Sequence, residues 1–162
     1  MKSAVRGAVA LALLASTTVW AQTPSVTDAE FVMKASVGNT FEMEEAKIAV
    51  ERATDPRLKA YAQKMLADHG DAMKKLSDAS AKANAKAEMT LDKPHQMMVD
   101  NLKQFNGTDF DKIYMADQIA SHAETVALLS DYKQNGQNSD LKSWANEALP
   151  IVKGHFADIN AM

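Results

Sequence analysis

The sequence predicts an all-α protein: a four-helix bundle with one long crossover that contains a short helix. Three observations carry this. Apolar residues recur at steps of three and four along four long stretches, and the alternation of a half-buried strand is nearly absent. The stretches are separated by pairs that end or start helices: Asp55-Pro56, Asn106-Gly107 and Asn135-Gly136. The composition suits helices, 46% hydrophobic with six Gly and four Pro in 162 residues. That length supports one domain with a buried core and is short for two.

Residues 1–21, MKSAVRGAVALALLASTTVWA, read as an address rather than as structure. Lys2 and Arg6 give a positive start, and the apolar run over 8–15 is too short to span a bilayer. Val19 and Ala21 stand at the −3 and −1 positions of a cleavage site before Gln22. The expectation is a signal peptide over 1–21, cleaved after Ala21, and a single helical domain over 22–162, periplasmic or secreted. Cleavage leaves 16 basic and 21 acidic residues, a charge of −5. No later stretch is long and apolar enough to span a membrane.

The first helix is expected over 28–53, with Phe31, Ala35, Gly38, Glu42, Ala46, Ala49 and Ala53 along its seam. Asp55 caps and Pro56 starts a second helix to about 83. Its seam is Leu58, Ala62, Met65, His69, Ala72, Leu76, Ala79 and Ala83. Residues 84–91 are polar and small, and a short helix over 91–105 carries Met98, Leu102 and Phe105. Thr108 or Asp109 caps the third long helix, which runs to about 133 with Met115, Ile119, His122, Val126 and Leu129 inward. The last helix, 139–161, buries Leu141, Ala145, Ala148, Val152, His155 and Ile159. Pro150 removes one of its ladder hydrogen bonds and kinks it.

The joints before the second and fourth long helices are short, so each flanking pair packs antiparallel. The roughly two dozen residues between the second and third are long enough to run back along the bundle, which makes those two helices parallel. This is the connection of ferritin-like folds. The parallel helices also repeat at an offset of 53 residues: Tyr61 with Tyr114, Ala67 with Ala120, His69 with His122, and Leu76-Ser77-Asp78 with Leu129-Ser130-Asp131. His69 and His122 each lie about 13 residues past a helix start, and Glu42 and His155 fall near the same level.

Lys plus Arg is 18 against 21 Asp plus Glu, a balance of −3 that argues against a nucleic-acid partner. The absence of Cys excludes disulfides, thiolate metal sites and thiol catalysis.

Four stretches, FVMKASVGNTFEMEEAKIAVERATDPRLKAYAQKMLADH, PHQMMVDNL, FDKIYMADQIASHAETVALL and LPIVKGH, resemble the bacterial exported family called domain of unknown function 4142, grouped with ferritin-like folds. They cover nearly the whole chain after residue 21, in order. The resemblance implies the fold and export. It implies no catalytic assignment.

Each long helix places one ligand-capable residue in its apolar seam: Glu42, His69, His122 and His155. A buried carboxylate is costly unless paired or metal-bound. Three imidazoles and a carboxylate suit one divalent ion of Zn, Cu, Fe or Mn, and bundle cores are places for such sites. That reading makes the chain an envelope protein of metal buffering or stress protection. The other reading is a metal-free structural or interaction protein, in which Glu42 accepts from imidazoles and the rest bond Tyr61, Tyr114 or water. Di-iron turnover is disfavoured, because the position three before each seam His is Leu66, Ile119 or Val152, where a Glu-x-x-His motif wants Glu. A second metal idea is the strip Met65, His69, Met73, whose thioethers suit Cu(I); Met is also ordinary core filler. His95 is expected to be exposed or a cap, and Asp68 to be solvated or paired. The sequence does not name a protein partner.

Overall fold

The computed structural model describes residues 26–162, all-helical over its ordered elements; the segment expected to be a signal peptide lies outside them. The helices are α1 (Asp28–Arg52), α2 (Pro56–Lys82), α3 (Lys93–Leu102), α4 (Gly107–Asn135) and α5 (Ser139–Asn160). Their starts follow local chemistry. Thr27 and Glu30 form a capping box, with the Thr27 N–H donating to the Glu30 carboxylate at 2.9 Å and the Glu30 N–H donating to Thr27 Oγ1 at 3.3 Å. Asp55 accepts from the Arg57 N–H at 2.8 Å with Pro56 at the first helical position. Asp92 caps α3 by accepting from the His95 N–H, and Asn138 caps α5 by accepting from the Asp140 and Leu141 N–H groups.

Two boundaries differ from the sequence reading. The crossover helix is shorter, because Asp92 fixes its start and the chain tightens into turns at Gln104 and Phe105. Helix α4 begins earlier than Thr108, at Gly107, whose φ of +63° lets the chain swing in from Asn106. Helix α5 runs through Pro150 without a break in its assignment.

Cross-helix contacts give the directions. Lys64 pairs with Asp158 at 2.9 Å, Lys75 with Glu147 at 3.3 Å and Lys82 with Asp140 at 3.8 Å, so α2 and α5 run antiparallel. Asp28 meets Tyr132, Glu45 meets Gln118 and Thr54 meets Asp111, so α1 and α4 are antiparallel too. Around the bundle α1 neighbours α2, α2 neighbours α5, α5 neighbours α4, and α4 neighbours α1. The parallel helices α2 and α4 therefore stand at opposite corners. Helix α3 lies against α1 and α4.

The buried stripe of α4 is rotated from the expected seam. Phe110, Tyr114, Gln118, His122, Leu129 and Tyr132 are buried, whereas Met115, Ile119 and Val126 are half-buried. Polar Gln118 occupies a core position and so hides the stripe from an apolar-period search. In α3 the fully covered residues are Val99 and Leu102, with Met98 and Phe105 half-buried.

The core is in two apolar clusters. One holds Phe31, Leu76, Leu129, Tyr132, Leu141 and Trp144, with Phe31 stacked on Tyr132 at 3.7 Å between ring centroids. The other holds Leu58, Tyr61, Met65, Phe110, Tyr114 and Ile159. Glu42, His69, His122 and His155 belong to neither and are 1–5% exposed. A buried polar layer thus divides the bundle.

Asp111 ties the α1–α2 turn to α4. Its carboxylate accepts from the Thr54 N–H at 2.9 Å, the Asp55 N–H at 3.0 Å and the Thr54 hydroxyl. Hydrogen bonds to a charged group contribute about 1.5–3 kcal/mol each, and they are not additive. Asp111→Ala is expected to lower stability by about 2–4 kcal/mol in urea unfolding. A change under about 0.5 kcal/mol would show that water replaces the carboxylate at no cost.

Candidate metal centre

Three imidazoles meet in the polar layer. The centroid of the His69 ring is 5.7 Å from that of His122 and 5.4 Å from that of His155, and the last two are 5.6 Å apart. Each ring brings one nitrogen to within 4.8 Å of the other two. Parallel α2 and α4 deliver His69 and His122 from opposite corners, and α5 delivers His155.

Every ring is held from outside by an acceptor. His69 Nδ1 lies 2.9 Å from Asn39 Oδ1, and the Asn39 amide nitrogen donates to the Ala35 carbonyl at 2.8 Å, which fixes the amide. His122 Nδ1 lies 2.8 Å from the Gln118 carbonyl oxygen and 3.2 Å from Glu42 Oε1. His155 Nε2 lies 2.8 Å from Asp68 Oδ2. A carbonyl or carboxylate oxygen can only accept, so each of these ring nitrogens carries the proton. The remaining nitrogens, His69 Nε2, His122 Nε2 and His155 Nδ1, are left as lone pairs, buried and without a hydrogen-bond partner. One N–H held by an acceptor and one free lone pair on each of three clustered rings make the donor set of a metal centre, with the acceptors that orient such ligands.

Electrostatics keep two of the rings in the ligand form. Burial pushes His69 well below the ordinary imidazole value, with the neighbouring His122 and His155 adding to it. Burial also lowers His155, against the Asp68 hydrogen bond, which favours the charged ring.

Of the four residues that the sequence singled out, the structure brings His69, His122 and His155 together, their rings meeting edge-on or tilted. Glu42 touches His122 on the protonated nitrogen, opposite the free one. Burial raises its carboxyl, against the pull of His122. His95 stands apart: its ring bonds Asp92, the α3 cap, at 2.6 Å and meets Phe41 edge-on at 5.0 Å. Asp68 is paired with His155. Met65 and Met73 pack into the two separate apolar clusters.

Sequence reasoning passed over Asn39, Gln118, Glu45 and Asp117. Asn39 precedes Glu42 by three residues, and Gln118 precedes His122 by four, so each shares a helix face with a named residue. Glu45 is fully buried, with Gln118 Nε2 donating to it at 3.3 Å. Burial, the Asp117 charge and the Glu42 charge push its carboxyl up to about 10, so it holds its proton at neutral pH.

Among solved structures, CopM in its Cu(II)-bound form is similar with a TM-score of 0.71 and 17% identity, over 85% of this chain and 95% of that one. CopM in its Cu(I)-bound form gives 0.70 and 16% over the same shares. A DUF305 fragment from Deinococcus radiodurans gives 0.70 and 13%, over 86% and 97%. At these identities the likeness is one of fold, a helical bundle. No curated protein matches the chain. The family described as Domain of unknown function (DUF4142) matches residues 14–162, and the chain belongs to that family.

Proposed function

We propose that this chain is an exported helical-bundle protein that holds one divalent transition-metal ion on His69, His122 and His155, and that it buffers that metal or protects against it in the bacterial envelope. One observation carries the reading: three buried imidazoles each bring a nitrogen within 4.8 Å of the other two, and each ring has one nitrogen on an acceptor and one without a partner. Unpaired buried acceptors cost free energy, about 1–3 kcal/mol each, and a cation at their centre relieves all three at once. Imidazole nitrogens suit Zn and Cu better than hard cations, and the general affinity order favours Cu(II). The similarity to a bundle solved with copper bound agrees with this choice. Glu42 then stands behind His122, its Oε1 3.2 Å from the protonated Nδ1 and away from the free nitrogen. His69 and His155, held below the ordinary imidazole value, need lose no proton to bind at neutral pH.

Elemental analysis and calorimetric titration of protein purified without a tag should give one Zn(II) or Cu(II) per chain. Asp68→Asn, which weakens the orienting acceptor of His155, should lower affinity about 10–100-fold. Absence of stoichiometric binding for Zn(II), Cu(II), Mn(II) and Fe(II) would leave the metal-free structural cluster as the function of the layer. Export is tested separately. Protein released by osmotic shock should begin at Gln22, and a full-length chain retained in the inner membrane would reject the cleaved signal peptide. No helix among the described residues is long and apolar enough to cross a membrane.

A further inference from the structure

The bundle is not filled beside the three imidazoles. A cavity of about 20 Å³ touches His69 and His155, room for a water-sized molecule. Its position follows from the helix directions. Ala72 and Thr125 lie three residues after His69 and His122 on the parallel helices, and Val152 lies three before His155 on a helix antiparallel to α2. All three wall positions are therefore about one turn from the histidines toward the same end of the bundle, and the cavity lies on that side of the triad, against His69 and His155 but not His122. Leu129 and Trp144 close it further up. Asp68, Ala72, Trp144, Ala148 and Ile151 also line a surface groove of about 390 Å³ between α2 and α5. The cavity and the groove share that wall, and Ile151 is 47% exposed at it.

The donor count gives this space a role. Structural zinc sites are closed by four protein ligands, whereas sites with three keep a position for a molecule from solution. Among the described residues no further Asp, Glu or His joins the three histidines, and Glu42 Oε1 lies on the side of the protonated nitrogen of His122, 3.2 Å from it. The apolar walls, Ala72, Leu129, Ala148 and Val152, offer few hydrogen bonds. Of the polar wall groups, Asn39 and Asp68 are already committed to His69 and His155.

We propose that this cavity is an open coordination position, where an ion held by His69, His122 and His155 takes a small exogenous ligand whose coordinating atom fills the water-sized space and whose remaining atoms lie toward the α2–α5 groove through which it enters. This rests on the metal reading of the preceding subsection. The class fits water, dioxygen-sized molecules and linear anions. It excludes carboxylates with a side chain and tetrahedral oxyanions, which the narrow apolar walls reject.

Azide is the probe. The full chain is loaded with one equivalent of Cu(II), its copper content is measured, and azide is titrated while charge-transfer absorption and the electron paramagnetic resonance spectrum are read. A saturable azide-to-copper band and a shifted spectrum are expected. Ala148→Leu and, more mildly, Ala72→Val fill the cavity and should weaken azide binding at least tenfold with copper content unchanged. Ile151→Ala opens the mouth and should speed azide association. Stoichiometric copper with no azide response overturns the open position while leaving the metal reading intact. Azide that binds equally well to both filled variants, each folded and copper-loaded, overturns it too. Should Ala148→Leu fail to fold, Ala72→Val and Ile151→Ala still decide it. A wild type that binds no Cu(II) defeats the metal reading, and the open position with it.

Discussion

Saturating Zn(II) or Cu(II) is expected to raise the melting temperature of the wild-type chain by about 5–10 °C, and His122→Ala is expected to abolish that rise. The size follows from linkage. An ion that binds only the folded state, at a hundred times its dissociation constant, stabilises by about 2.7 kcal/mol. His122→Ala removes one of three converging nitrogens and leaves Gln118 and Glu42 facing the gap. In the absence of metal the substitution should cost only about 1–4 kcal/mol, a cavity plus lost hydrogen bonds. Calorimetry of both proteins, with and without metal, separates the readings. If the cluster is metal-free, the wild-type melting temperature is indifferent to every metal tried, and His122→Ala destabilises equally with and without it.

Glu45→Gln is expected to make the chain more stable at alkaline pH, with an effect that grows as pH rises. The folded protein holds the Glu45 proton up to about pH 10, because burial and the facing Asp117 and Glu42 charges oppose ionisation. The unfolded chain releases it near the ordinary value of 4.5. Between these limits the folded state binds the extra proton, so stability is full below pH 4.5 and falls as pH rises. The slope approaches about 1.4 kcal/mol per pH unit for one group. A glutamine amide at this position would keep the shape and carry no such proton, so the urea midpoint of the variant should fall less steeply between about pH 6 and 9 than that of the wild type, the raised Glu42 contributing to both. Equal wild-type midpoints at about pH 6 and pH 9 would refute the buried acid. His69 and His155 act in the opposite sense. Their lowered values mean that the unfolded chain takes up protons first as pH drops below 6.5, so stability is lost on the acid side.

The helices and the three histidines were legible because both rest on spacing. Steps of three and four put His69, His122 and His155 among apolar neighbours, and the long crossover made α2 parallel to α4. The offset of 53 residues also has a counterpart in space. Tyr61 and Tyr114 meet at 6.5 Å and His69 and His122 at 5.7 Å between ring centroids, and Leu76 and Leu129 are both fully buried. Ala67 and Ala120 are both exposed. What spacing could not give is the identity of each ring's free nitrogen. That depends on the acceptors Asn39, Gln118 and Asp68, and polar residues do not announce a buried face. The seam drawn through α1 passes Gly38 instead of its neighbour Asn39. Glu45 stayed hidden for the same reason, since a charge on a helix reads as solvated until a second buried acid is seen opposite it.

The crossover over 83–106 has a consequence for how copies of this chain can associate. It joins two antiparallel hairpins, α1–α2 and α4–α5, by a link long enough to let them part. If two copies traded one hairpin, every helix would regain its usual neighbours, the circumstance that makes domain swapping a low-cost route to a dimer. The first hairpin contributes His69, and the second contributes His122 and His155. Each bundle of such a swapped pair would rebuild the triad with one histidine from one copy and two from the other.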